Sequence, residues 1–145
     1  MISKRKGREF AMQLLYSIEV GKEPFAQALA GLSEDPAITE DAKEYGTKLS
    51  RKVLENMEAI DARITSASSN WDLERIAIVD RLIIQCAVAE LMFFSDIPLR
   101  VAINEAVDIA KKFSTGESSR FVNGVLDAIA KQFSNSSQRN PDDAE

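Results

Sequence analysis

Lys4, Arg5, Lys6 and Arg8 crowd the front of the chain, in "SKRKGREFAMQLLYS" (3–17), directly ahead of an apolar run. The chain as a whole carries a formal net charge of -5 at pH 7, so this basicity is local. Lysines and arginines gathered on one end of an acidic body can hold a polyanion there through its phosphates. Cations at a helix N-terminus oppose the macrodipole, so helix stability does not account for their placement. From the pattern alone a merely solvated helix start remains an alternative. Catalytic chemistry is poorly provided for. With no histidine, the commonest general base and the commonest metal ligand are missing. Cys86, the one cysteine, can form neither a Cys/His pair, a thiolate cluster nor an intrachain disulfide. No Walker loop and no GxGxxG pattern occurs. Carboxylate or lysine chemistry stays open in principle, but a binding protein without catalytic residues, metal or cofactor is expected.

The elements that must position these residues are helical. At 145 residues, with 45% hydrophobic and 28% charged residues, one folded domain is expected. No run of eighteen apolar residues and no signal-peptide pattern is present, so a cytoplasmic protein with no membrane contact is expected, with Cys86 buried in a reducing compartment. Phe10, Ala11, Leu14, Leu15 and Ile18 give a first helix, ended by Gly21 and Pro24. On its wheel, Phe10, Leu14 and Ile18 point inward, while Arg5, Glu9, Met12 and Tyr16 lie opposite and outward. Phe25, Leu29 and Leu32 suit a short second helix. Thr39 reads as an N-cap, and Tyr45, Leu49, Val53, Met57, Ile60 and Ile64 predict one long helix. "TSASSN" (65–70) reads as a linker, followed by a capped turn, "NWDLERI", in which Trp71 packs. "VDRLIIQCAVAELMFF" (79–94) is apolar almost all round, as a central buried helix should be. Pro98 opens the next helix, whose inner stripe is Ile103, Ala106, Val107 and Ala110. Val122, Val125, Leu126 and Ile129 mark the last one. The polar tail is expected to be disordered.

"NWDLERIAIVDRLIIQCAVAEL", "DIPLRVAINEAVDIAKKFS" and "SSRFVNGVLDAIAK" together resemble the NusB family of bacterial transcription antitermination factors. "KGREFAMQLLYS" is similar to that family's arginine-rich opening helix. The resemblance covers roughly residues 4–131, strongly from 71 onward and only loosely over 21–64. It implies an all-α, NusB-like fold: two small helical sub-bundles, about 1–64 and 71–133, around a central apolar helix. Residues 1–133 would form one RNA- and protein-binding domain, and 134–145 a tail. The implied function is binding of boxA-type single-stranded RNA on nascent ribosomal transcripts together with the small-subunit ribosomal protein NusE. Acting with other Nus factors, such a complex helps RNA polymerase resist termination.

Carried over residue by residue, the RNA surface would comprise Lys4, Arg5, Lys6, Arg8, Glu117, Ser118, Arg120, Phe121 and Asn123. The NusE surface would comprise Tyr16, Glu74 and Asp80, an acidic patch suited to a basic ribosomal protein. Asn104 and Glu105 in "AINEA" read as structural, Asn104 bonding a neighbouring helix end or loop, and Gly124 reads as a close-packing position. Gln85, Cys86 and Ala89 depart from the family's usual arginine, larger aliphatic and tyrosine, which alters local packing. Two alternatives keep the fold and change its use. One is a helical adaptor acting through protein contacts alone. The other is a stand-alone relative of the RNA-binding domain of ribosomal RNA methyltransferases.

Overall fold

The structure, a computed structural model, describes residues 4–67 and 73–136. Among them seven α-helices follow one another: α1 (Lys4–Glu19), α2 (Phe25–Ser33), α3 (Glu40–Glu55), α4 (Met57–Ala67), α5 (Ile78–Phe93), α6 (Leu99–Phe113) and α7 (Gly116–Ser136). A 3-10 turn, Leu73–Arg75, leads into α5, and the described residues contain no strand. Trp71 lies outside the described residues.

α5 is the axis. Every residue from Leu82 to Leu91 is buried, which is why its sequence shows no polar face. α1, α3, α4, α6 and α7 all pack on it, and one apolar cluster runs through the six helices. Val122, Val125, Leu126 and Ile129 of α7 are fully buried in that cluster, as the spacing predicts.

α1 and α3 approach closely because glycines face each other at their crossing. A Cβ on Gly46 would lie 2.7 Å from both the Gly7 carbonyl oxygen and the Phe10 ring; one on Gly7 would lie 2.9 Å from the Tyr45 ring. Either methyl group would force the helices apart.

Four readings of the sequence need correction. The long helix expected from Thr39 onward is two helices. Thr39 caps α3 as predicted, accepting from the Ala42 N–H at 3.1 Å. Asn56 then ends it, its Nδ2 donating to the Lys52 carbonyl at 2.9 Å while its own carbonyl starts α4. An asparagine amide competes for backbone partners in this way, and apolar spacing continues across the break undisturbed. Second, Thr65, Ser66 and Ala67, placed in the linker, complete α4, the two hydroxyls bonding back to carbonyls one turn earlier. Third, α7 continues through Ser136, into the segment expected as tail; residues 137–145 lie outside the described ones. Fourth, Gly124 is exposed with nothing within 4 Å of a Cβ built on it, so packing does not require it.

α1 also departs from its one-faced wheel. Phe10 and Leu14 pack with Ala28 in a separate small cluster under α2. Ala11, Met12 and Leu15 join the main core. The line read as outward is therefore half covered, with Glu9 and Met12 buried while Arg5 and Tyr16 stay exposed. A helix wedged between two partners has two apolar stripes, and a wheel cannot say which of them faces the larger core.

Candidate nucleic-acid and partner interfaces

The basic start of α1 divides into exposed and buried parts. Lys4 and Lys6 are exposed. Arg5 is partly exposed and lies against α6, where it donates to both Glu105 oxygens at 2.9 and 2.6 Å and to Asp108 at 2.8 Å. Arg5 in turn holds the Glu105 carboxyl below its ordinary value. Arg8 points the other way, into the protein. It is 6% exposed, and its Nε donates to the two oxygens of Glu90 at 3.0 and 2.8 Å. Glu90 is 1% exposed and also accepts from the Tyr45 hydroxyl. Burial pushes the Glu90 carboxyl up, while Arg8 and Tyr45 pull it down. Burial and the Glu90 charge both raise the Tyr45 phenol. The Arg8 Nη1 also donates to Glu105 at 3.3 Å, so the guanidinium is held inside the protein by two carboxylates and is poorly placed to reach a phosphate.

Asp108 connects this helix start to an open groove between α6 and α7. The groove, about 520 Å³, is lined by Asn104, Asp108, Lys111, Ser119, Arg120 and Asn123 among others. Lys111, Arg120, Asn104 and Asn123 are all exposed. Thr115 caps α7 by accepting from the Ser118 N–H at 3.1 Å, which fixes the start of that helix. The Ser118 hydroxyl turns back to Ser114 at 2.8 Å, and Glu117 is exposed in the first turn. Phe121 is half-buried and packs on the main core by one side.

The structure thus brings Lys4, Arg5 and Lys6 beside the α7 residues, with α6 between them, and sets Arg8 apart as a strut. Sequence reasoning missed Lys111 and misread Asn104, which is exposed on the groove and makes no side-chain bond among the described residues. The signal was available. Asn104, Asp108 and Lys111 recur at steps of four and three on the side of α6 away from Ile103, Ala106 and Ala110.

On the opposite end of α1, Tyr16 borders a second groove with Met12, Gln13, Val79 and Phe113. Glu74 lines a neighbouring one with Glu19, Ile78 and Arg81. Both grooves meet the first turns of α5, and an ion pair between Glu19 and Arg81 ties α1 to that helix. Asp80, in the first turn of α5, does not share the exposure of Tyr16 and Glu74. It is 6% exposed, and its Oδ1 has no hydrogen-bond partner. Among the described residues no cluster of Cys, Asp and Glu is arranged to hold a metal.

The NusB family model matches residues 5–131. The chain belongs to the NusB family. The transcription antitermination protein NusB of Geobacter sulfurreducens is 44% identical over 133 residues, which span 90% of this chain and 95% of that protein. The NusB proteins of Chloroherpeton thalassium and Heliobacterium modesticaldum are 42% and 40% identical over 88% and 90% of this chain. The matched region spans only 61% and 64% of those two proteins' lengths. A NusB-type chain in a crystal structure of antitermination factors NusB and NusE in complex with dsRNA superposes with a TM-score of 0.80 at 32% identity. That match covers 91% of this chain and 99% of the other, so the all-α NusB fold is shared nearly end to end. Among the described residues no helix is long and apolar enough to cross a membrane.

Proposed function

We propose that this NusB-family chain acts in the cytoplasm by binding, without catalysis or cofactor. It holds boxA-type single-stranded RNA on the α1/α6/α7 face and the ribosomal protein NusE at the Tyr16 face. Together with other Nus factors, that assembly helps RNA polymerase resist termination on ribosomal transcripts. The observation that carries the reading is the groove between α6 and α7. Two exposed cations, Lys111 and Arg120, and two exposed amides, Asn104 and Asn123, meet there beside the basic start of α1.

Lys4, Lys6 and Arg120 supply charge for phosphates, and Arg5, pre-oriented by Glu105 and Asp108, adds a partly shared guanidinium. The amides of Asn104 and Asn123 suit the edges of unstacked bases, and the open side of the Phe121 ring offers a stacking surface. Glu117 and Asp108 oppose a polyanion on the same face and moderate its affinity. On the other face, Tyr16 gives an amphipathic ring of the type enriched at protein interfaces. Glu74, exposed beside it, favours a basic partner, whereas Asp80 is buried and would act only through its charge behind that surface.

Titration of a boxA RNA against a scrambled RNA of equal length, with and without NusE, tests the reading. Preference for boxA that strengthens when NusE is present is expected. Equal binding of both RNAs under both conditions would remove it.

A further inference from the structure

A third group of cations lies outside both faces. Lys48, Arg51 and Lys52 of α3 enter no ion pair among the described residues, in a chain with 23 acidic residues against 18 basic ones. Their neighbour Lys43, by contrast, pairs with Glu40 at 3.4 Å. Each of the three stands over an aromatic ring instead. The Lys48 ammonium is 5.0 Å from the centre of the Phe94 ring, that of Lys52 5.2 Å from Phe93, and the Arg51 guanidinium 5.0 Å from Phe25.

These rings continue to the start of α1. Phe94 meets Tyr45 edge to face at 5.7 Å, and the Lys4 ammonium stands 5.8 Å from the Tyr45 ring. Tyr45, Lys48 and Lys52 follow one another at steps of three and four, on one face of α3. Lys4, Lys48 and Lys52 therefore form a line of cations floored by aromatic rings, with one carboxylate, the exposed Asp96, close to Tyr45. The same helix forms one wall of an open groove of about 700 Å³ against α2. Lys48, Arg51 and Lys52 border that groove as well, beside Glu40, Glu44 and Glu55, and Lys48 and Lys52 stand over the rings of Phe94 and Phe93.

We infer that the α3 edge is a track for the phosphate backbone of RNA flanking the segment read at α1, α6 and α7. This rests on the RNA-binding reading above and extends its footprint along the molecule. Three arguments carry it. Lys4 belongs to both surfaces, so the track is continuous with the proposed interface. Cation–ring contacts restrict the lysine side chains beforehand, which lowers the ordering cost of binding. Lysines one helical turn apart, about 6 Å along the axis, engage backbone phosphates as point charges without reading bases.

The test uses the whole chain and two RNAs: a minimal boxA RNA, and the same RNA extended by an unstructured polyuridine flank on either side. The double variant Lys48→Gln/Lys52→Gln keeps the stems over the rings and removes the charge, and Lys48→Arg/Lys52→Arg restores it. For the extended RNA, the slope of log affinity against log salt should fall in the glutamine variant by about 1.4, at about 0.7 per lost contact on a single strand. It should return in the arginine variant. Binding of the minimal RNA should stay within twofold of wild type. An unchanged slope for the extended RNA would overturn the track while leaving the boxA reading intact. Failure of wild type to bind either RNA would overturn both. Binding of poly-glutamate that depends on these lysines, with RNA binding indifferent to them, would assign the edge to an acidic protein instead.

Discussion

Arg5 and Arg8 stand three residues apart on one helix and share the Glu105 carboxylate, yet one is open to solvent and the other is buried. Arg8 closes a buried pair with Glu90 inside the bundle, whereas Arg5 lies at a solvent-facing cluster on α6 that opens into the α6/α7 groove. Taking two charges out of water is costly, and a buried pair repays this only while both partners remain. A solvent-facing cluster carries little stability and keeps its charges available. Arginines in one basic run can therefore hold the scaffold or face a ligand, and burial decides between these roles.

Breaking the buried side should have the largest effect. Arg8→Ala takes the cation away from the buried Glu90 carboxyl and should cost about 3–5 kcal/mol of stability, read from the midpoint of urea unfolding. Replacing the pair together, as Arg8→Met/Glu90→Leu, should recover most of that loss. An Arg8→Ala midpoint near wild type with RNA binding abolished would instead make Arg8 a phosphate contact. Tyr16→Asp, on the exposed end of the same helix, should weaken NusE binding by about 2 kcal/mol or more, as expected for a central interface aromatic. Its circular dichroism should stay native, because the ring is 40% exposed.

Two substitutions on α7 sharpen the groove side. Phe121→Ala should cost about 1–3 kcal/mol of RNA binding if the open side of the ring stacks on a base. NusE binding should hold. A large fall in unfolding midpoint with native RNA affinity at low temperature would make Phe121 purely core. Gly124→Ala has the smallest expected effect and two opposite signs. The position is helical, exposed and open, so alanine should stabilise the fold by about 0.5–1 kcal/mol. The added methyl sits on the face carrying Arg120 and Asn123, so RNA binding should weaken slightly. A variant that gains stability with RNA binding unchanged would place Gly124 outside the interface.

Much of this was legible in the sequence, for physical reasons. α5 announced itself because a helix buried on every side has no continuous polar face, its buried Gln85 and Glu90 being isolated in an apolar run, and α7 because Val122, Val125, Leu126 and Ile129 follow one face. The Thr39 cap has a side-chain signature. Other features left no periodic trace. The break at Asn56 depends on one amide choosing a backbone carbonyl, and the Gly7–Gly46 crossing joins residues far apart in the chain. That α1 is covered on two faces follows from where α2 and α6 dock, so Met12 and Glu9 were read as outward. For the candidate site, the basic segment stood out as a charge run, whereas the α7 residues entered only through the family resemblance. That Arg8 turns inward could not be read, because its partner Glu90 hides within the apolar run of α5.

The central claim is that the exposed charges of α1 and α7, and not the buried Arg8, meet the RNA. The most direct test is the salt dependence of boxA RNA binding for the triple variant Lys4→Ala/Lys6→Ala/Arg120→Ala, beside wild type and the Arg8→Met/Glu90→Leu pair. The slope should fall by about 2 in the triple variant, at about 0.7 per lost phosphate contact, and stay at the wild-type value in the pair. An unchanged slope in the triple variant, or an equal fall in the pair, would contradict the account.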